Sequence, residues 1–490
     1  MLKKVLRFVM GDDTNCQVSN KELFHYMVGV AGQNITYNLV SAWFFYYCSD
    51  VIYMDLMAIG VILGAARVWD AINNPLVGMF IDRHTFKNGE KMRPYLKWMP
   101  IPIGIMAMMM FVNVGLEGWL MVAFVTGMYF LWDTLYSFQD IAQWGMTAMI
   151  TTSSDERGKV VQFARIGGMI GSWLPGIIPL VIARKNLIGM TESQLFAIFG
   201  VLFGLGGMAL SLFNYKAKER AVAVKIEGSI KNDYKLLFKN KLLLLLVFGN
   251  VLASVTFCVD SIYFFKYMVT LNVFGRQIDG LTVSFVFGLV VGLPGAVGIF
   301  FANKLSHRIG GMKNVLLLSL FLDVGTRIAA YFVGFDGYRI VISGVLLMIA
   351  GIPNNMRGVA CTTLWGDSID YMEWQTGKRN EGMVFAMQNF VAKITKGIST
   401  FFMGLTLTIL QFDATKYDLG LPQSDAFYKY IWPIYILGPA LGSLFFAIPV
   451  LFIKYNVNDR KRIEQELKAL RAKKEAEMAG QEMLEMQIYT

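Results

Sequence analysis

A chain of 490 residues with 55% hydrophobic, 14% aromatic and only 16% charged side chains, at a mean hydropathy of +0.48, is too apolar for a soluble globular protein of its size and reads as a membrane protein. The three histidines, His25, His84 and His307, lie far apart. Without paired metal-ligand spacing or an aspartate-rich diphosphate motif, the chain lacks the constellation a membrane-embedded enzyme needs.

The leading segment MLKKVLRFVMGDD is basic, but its apolar part is interrupted by Arg7 and ends in Asp12 and Asp13, so it does not read as a cleavable signal peptide. Apolar runs of about 20 residues, each long enough to cross roughly 30 Å of hydrocarbon as a helix, then recur along the chain. In order they centre near Val40, Ala65, Ala107, Phe130, Trp173, Phe203, Leu252, Leu289, Leu320, Leu346, Met403 and Leu437. The expectation is an all-α membrane protein with twelve transmembrane helices. Cys48, Cys258 and Cys361 fall in or at the ends of these helices and Cys16 in the leading segment, a spacing that gives neither a disulfide framework nor a zinc site.

The formal charge of +10 is unevenly spread. Basic residues gather at Lys3 to Lys21, at Arg83 to Lys97, at Lys216 to Lys239 and at Lys454 to Arg462, whereas alternate loops such as SDVIYMD and NVGLEG are nearly free of them. The positive-inside rule then puts both termini in the cytoplasm, in agreement with an even number of crossings. The clusters read as topology signals rather than nucleic-acid patches. Membrane lipid is the partner this pattern implies, with a monomer as the functional unit.

At an offset near 220, AWFFYYC from Ala42 lies over SIYFFKYM from Ser261, Gly78 over Gly298, and Trp144-Gly145 close to Trp365-Gly366. Six helices repeated twice follow from this, as two pseudo-symmetric bundles that can rock about a site trapped between them. The expected boundaries are residues 1–214 and 242–457 for the bundles and 215–241 for a cytoplasmic middle loop. Residues 458–490 form a cytoplasmic tail helix, solvated or lying on the membrane face.

Polar residues interrupt the apolar runs in a pattern. Arg67, Asp70 and Asn74 share one face of the second helix. They either pair along the helix or line a wet cavity, and a buried pair is a poor source of net stability beside apolar packing. In the fourth helix Asp133, Ser137, Asp140 and Trp144 form a second stripe. Carboxylates accept hydrogen bonds from sugar hydroxyls and an indole stacks on a pyranose ring, so this stripe has the chemistry of a sugar site. Asp133 either belongs to it or sits wet near the outer helix end. Arg165 opens the fifth helix, and Gln388, Asn389 and Lys393 lie in the eleventh. A buried lysine must find an anion or lose its proton, and the carboxylates of helices two and four are the candidates.

With these residues in view, the chain resembles the melibiose permease-like glycoside–pentoside–hexuronide:cation symporters of the major facilitator superfamily. The resemblance is carried by YNLVSAWFFYYCSDV, ARVWDAINNPLVGMFIDR with GEKMRPYL, NDYKLLFKNKLLLLL and GDSIDYMEWQTGKRNEGMVFA, and covers nearly all of the chain short of the tail. It implies that Asp140, Trp144, Arg165, Gln388 and Lys393 lie in or beside a sugar site. Gln33 and Asn34 stand where the family has a lysine followed by an aspartate, so the pocket keeps hydrogen-bonding groups but loses one charge of each sign. The family's cation cage, two aspartates four apart with a hydroxyl from helix four, corresponds to Asp70, Asn73, Asn74 and Ser137. One carboxylate remains there, which weakens the cage for sodium.

The function these readings imply is a secondary transporter of a glycoside, pentoside or hexuronide by alternating access. No cofactor is expected, and the coupling ion is a proton or sodium. The alternatives are an uncoupled sugar facilitator and a carrier of lysophospholipid or another amphipathic solute on the same fold. Ion pairs among Asp82, Arg83 and the stretch Asp367 to Arg379 are expected to hold one face closed.

Overall fold

The computed structural model describes residues 17–84, 86, 89–151, 154–220, 239–273, 276–292, 295–376, 381–463, 465–467 and 469. α1 (Asn20–Tyr46) starts on Ser19, whose hydroxyl accepts the Glu22 N–H, and runs into a π-helical turn over Tyr47–Val51. α2 (Leu56–Arg83) is capped by Asp55 and carries Pro75 inside it. α3 (Pro100–Met110) follows a short helix over Arg93–Trp98. α4 (Gly118–Met149) and α5 (Ser154–Trp173) come next. α6 (Glu192–Phe199) opens on a Thr191–Gln194 capping box and continues through a π-helical turn to Ser211.

In the second half of the chain α7 (Lys241–Ser254) is capped by Asn240 and followed by α8 (Ser261–Met268). β1 (Thr270–Val273) and β2 (Arg276–Asp279) form an antiparallel hairpin with Thr270 opposite Asp279. Six longer helices follow: α9 (Gly280–Gly292), α10 (Gly295–Ile309), α11 (Met312–Val333), α12 (Arg339–Thr376), α13 (Glu381–Ile409) and α14 (Asp425–Leu451).

Every expected span centre falls in a helical segment, and among the described residues seven helices are long and apolar enough to cross a membrane. The fold is all-helical as expected, with two local departures from uninterrupted spans. The hairpin is one, and the division of the seventh expected span into α7 and α8 is the other. Residues 255–260 between those helices have no helical backbone.

Close helix contacts rest on glycine where no side chain fits. On α5 a Cβ at Gly167 would lie 2.2 Å from the Met27 carbonyl oxygen, and one at Gly171 2.2 Å from that of Ala31. Their four-residue spacing is the small-xxx-small pattern that lets membrane helices approach closely. α13 packs on α2 in the same manner, with Gly397 against the Arg67 stem and Gly404 against the Leu56 carbonyl. This contact joins the two halves of the sequence. Large side chains such as Phe332 (80%) and Trp119 (75%) stay exposed on the outside, as suits helices bathed in lipid.

The tail does not begin free. Ile463 and Leu467 are buried in one core cluster with Ile369 and Met372 of α12, Arg460 pairs with Asp367 at 3.4 Å, and the Trp374 indole donates to Glu466 at 2.5 Å. Its helical spacing therefore seats on α12, because the i, i+4 apolar pair finds apolar surface there. Cys16, residues 221–238 of the middle loop and residues 470–490 of the tail lie outside the described residues.

Candidate functional site

Polar side chains from α2, α4 and α13 meet inside the bundle. The Lys393 ammonium lies 2.9 Å from Asp70 Oδ1, and the Ser137 hydroxyl reaches the same oxygen at 3.5 Å while donating to the Asp133 carbonyl at 3.0 Å. Arg67, Asn73 and Asp133 are buried beside them. Asp133 Oδ2 and Asn73 Nδ2 have no hydrogen-bond partner among the described residues. Two expectations are decided here. Asp70 takes its counter-charge from Lys393 across the sequence halves rather than from Arg67 along the helix, and Asp133 is buried (3% exposed), not a wet residue at a helix end. Asn74 is half-buried and makes no side-chain hydrogen bond with the described residues.

A second group lies between α1, α4 and α5. Gln33 donates to Asp140 Oδ1 at 3.1 Å, and Gln143 donates to Gln33 Oε1. Gln143 Oε1 in turn accepts from Asn214 at 2.6 Å, and its backbone carbonyl from the Tyr26 hydroxyl. This chain fixes the Gln33 amide, and Gln33 in turn orients Asp140. Trp144, one turn away on α4, is 43% exposed, so an indole face is open next to an oriented carboxylate. Asn34 bonds to the Val30 carbonyl at 3.0 Å and lies alongside Gly168 of α5. Arg165 is exposed and Gln388 half-buried; no hydrogen bond or ion pair ties either to the Asp140 group among the described residues. Sequence reasoning did not single out Asn38, which donates to Ser172 of α5 at 3.0 Å. Its signal was legible, since Asn38 is four residues from Asn34 and so on the same face.

A third group closes one end of the bundle and was not foreseen. Lys266 of α8, 3% exposed, lies 2.8 Å from the fully buried Asp50 and 2.6 Å from the Tyr46 hydroxyl. Tyr267 donates to Asp50 Oδ1 and Ser49 to Oδ2 at 2.7 Å. Ser49 also meets the Tyr263 hydroxyl at 2.7 Å, and Tyr46 donates to Glu192 at 2.9 Å. Tyr46, Ser49, Asp50 and Glu192 come from the first half of the sequence and Tyr263, Lys266 and Tyr267 from the second. The closure expected from Asp82, Arg83 and residues 377–379 involves side chains outside the described residues; Asp367 pairs with Arg460 of the tail.

A lipid-facing, many-helix bundle that gathers carboxylates, amides and cationic side chains in its interior defines a multi-pass membrane transporter, not an enzyme. The sequence profile of the MFS/sugar transport protein family matches residues 25–459, and the chain belongs to that family. It is a secondary sugar transporter of the cell membrane. It is 26% identical over 450 residues to the isoprimeverose transporter of Lactiplantibacillus pentosus, covering 90% of each chain, and 25% identical to the inner membrane symporter YicJ of Escherichia coli (strain K12), covering 88% and 91%. Its fold is similar to that of the D-xylose-proton symporter, with a TM-score of 0.56 at 11% identity over 86% and 96% of the chains. The nucleoside transporter NupG aligns with a TM-score of 0.59 at 15% identity over 88% and 99%.

Proposed function

We propose that the protein carries a glycoside, pentoside or hexuronide by alternating access of a central site, with the sugar hydroxyls received by Asp140 and the ring face by Trp144. The observation that carries this reading is the Gln33–Asp140 contact, which holds a carboxylate one helical turn from the exposed Trp144 indole. Asn34, Arg165, Gln388 and Asp133 complete the polar lining in this account. Residues 1–214 and 242–457 are the two rocking bundles of a twelve-helix protein. Its termini are cytoplasmic, and the end bearing Asp50 is the outer face.

The coupling ion in this reading is a proton. Sodium needs an anionic oxygen cage, but Asn74 supplies no charge and Asp70 is already neutralised by the Lys393 ammonium. Asp133, with one carboxylate oxygen unpartnered, is the group able to take up and release a proton. Uncoupled passage is the second reading. It is favoured by the balance of Asp70 and Asp133 against Arg67 and Lys393, a cluster that is electrically neutral with no added ion.

Proteoliposome uptake of isoprimeverose, xylose and glucuronate under imposed gradients separates these readings. Accumulation driven by an inward proton gradient is the expected result. Accumulation driven by sodium alone overturns the proton assignment, equilibration without accumulation under either gradient supports the second reading, and passage of none of the three sugars counts against the sugar site.

A further inference from the structure

α12 is the second-half counterpart of α4. The offset of 221 that lays Trp365-Gly366 over Trp144-Gly145 also carries the stripe Asp133, Ser137, Asp140 and Trp144 onto Asn354, Gly358, Cys361 and Trp365. Pseudo-symmetric halves turn equivalent helices towards one central site. The two stripes differ in chemistry. Both carboxylates of α4 give way to an amide and a thiol on α12, and Tyr136 to Arg357.

The exposed side of α12 changes along its length. Near its start Val341, Ile342, Val345 and Ile349 are exposed, an apolar face that suits lipid. Further on Asn354, Gly358 and Thr362 are exposed, while Pro353, Met356, Ala360 and Leu364 are buried. Nine residues make two and a half helical turns, so Gly358 faces away from the side of Ile349. A Cβ added at Gly358 would meet no atom within 4 Å. Polar surface bordering open space and turned from lipid is the lining of a wet cavity.

Arg357 flanks this lining. It is half-buried and acts electrostatically on Cys361, one turn away, and no hydrogen bond or ion pair reaches its guanidinium among the described residues. Asp367, where α12 meets the tail, lies ten residues further on, about 15 Å along the helix. An arginine held within a membrane helix without an anion is costly and marks a ligand pathway. The charge balance points the same way. Among the described residues Arg165 and Arg357 are two cations without an ion-pair partner, and Asp140 is one such anion, which leaves a positive surplus.

Resting on the sugar site proposed above, we propose that Arg357 receives a carboxylate carried by the substrate, so that the preferred cargo is a hexuronate or hexuronide rather than a neutral sugar. The planar guanidinium offers two parallel N–H donors that match a carboxylate. Asp140, on the equivalent helix of the other half, repels that group and accepts ring hydroxyls. The two opposite charges thereby fix which end of the sugar faces which half.

The test uses the full chain in detergent and calorimetry of glucuronate and xylose, two sugars that differ in that xylose has hydrogen where glucuronate has the carboxylate. The wild type is expected to bind glucuronate about 10- to 100-fold more tightly, the effect of a hydrogen bond to a charged group. Arg357→Gln is expected to remove that advantage and leave xylose affinity unchanged. Equal affinity for the two sugars in the wild type, or an undiminished preference in Arg357→Gln, overturns the anchor. An equal loss for both sugars shows a structural role and overturns it too. Arg357→Lys keeps the charge without the fork and is expected to lose part of the advantage; should the glutamine variant fail to fold, an undiminished preference in the lysine variant overturns the bidentate anchor. A wild type that binds xylose or isoprimeverose but not glucuronate removes the anchor and leaves the Asp140 site standing. Binding of none of the three removes both.

Discussion

Lys393 of α13 and Asp70 of α2 form an ion pair of 2.9 Å across the two halves of the sequence, and the Ser137 hydroxyl shares the carboxylate at 3.5 Å. In the proposed proton-coupled reading the ammonium takes the place of a metal cation beside Asp70. Lys393→Gln leaves Asp70 buried without a counter-charge. The cost is expected at about 2 kcal/mol, below the roughly 3–5 kcal/mol of a fully buried pair because the lysine keeps partial contact with water. Thermal unfolding in detergent reads this as a lower Tm, largely restored in Asp70→Asn with Lys393→Gln. The single variant is also expected to gain a sodium-dependent Tm increase that the wild type lacks. A sodium response in the wild type would refute the idea of a resident ammonium.

Asp140 depends on charge as well as shape. Asp140→Asn keeps an oxygen for Gln33 but removes the negative acceptor, and a hydrogen bond to a charged group contributes about 1.5–3 kcal/mol. Sugar affinity is expected to fall on the order of 10- to 100-fold, with expression and membrane insertion unchanged. The ligand-dependent thermal shift measures it; a shift equal to the wild type's removes Asp140 from the site.

The helices were legible because their apolar runs match the thickness of hydrocarbon, and the stripe Asp133, Ser137, Asp140 and Trp144 because helical periodicity puts it on one face. That Lys393 answers a carboxylate of α2 or α4 followed from the cost of an unpaired buried charge, although nothing in the spacing chose between Asp70 and Asp140. What stayed hidden depends on tertiary pairing. Lys266 sits one residue from the end of an aromatic run, and its meaning comes from Asp50, 216 residues away. The break before α8 was also unreadable, since VTFCVD contains neither proline nor glycine and the helix is interrupted by contacts with α13 and α14.

Gly167 and Gly171 tie α5 to α1 with no room for a side chain. Gly171→Leu forces the helices apart, and overpacking of this kind typically costs about 1–3 kcal/mol. Because Asn38 and Ser172 bond across the same seam at 3.0 Å, the separation also disturbs the wall of the proposed sugar site. A fall in Tm together with slower sugar exchange is the expected outcome. Wild-type values of both would show that the seam tolerates the change and that the close approach is incidental.

The closure around Lys266 holds an ammonium and a carboxylate that are 3% and 0% exposed, and its bonds tie the two halves together at one end. Such an arrangement favours one conformation, because opening that end must hydrate both charges and part Tyr46, Tyr263 and Tyr267 from their partners. Lys266→Gln removes the counter-charge from Asp50 and so destabilises the closed end specifically, whereas the open end, where Asp50 meets water, is little affected. A bias of about 1.4 kcal/mol changes the ratio of conformations tenfold, and the loss of one partner from a buried pair exceeds that. Spin labels introduced with Leu187→Cys and Leu419→Cys are therefore expected to show at least a tenfold rise in the long-distance population in Lys266→Gln. The rise should be reversed when Asp50→Asn is added, since no buried charge then remains to be hydrated. Identical distance distributions in the wild type and Lys266→Gln would mean that apolar packing, not this ion pair, keeps the end shut.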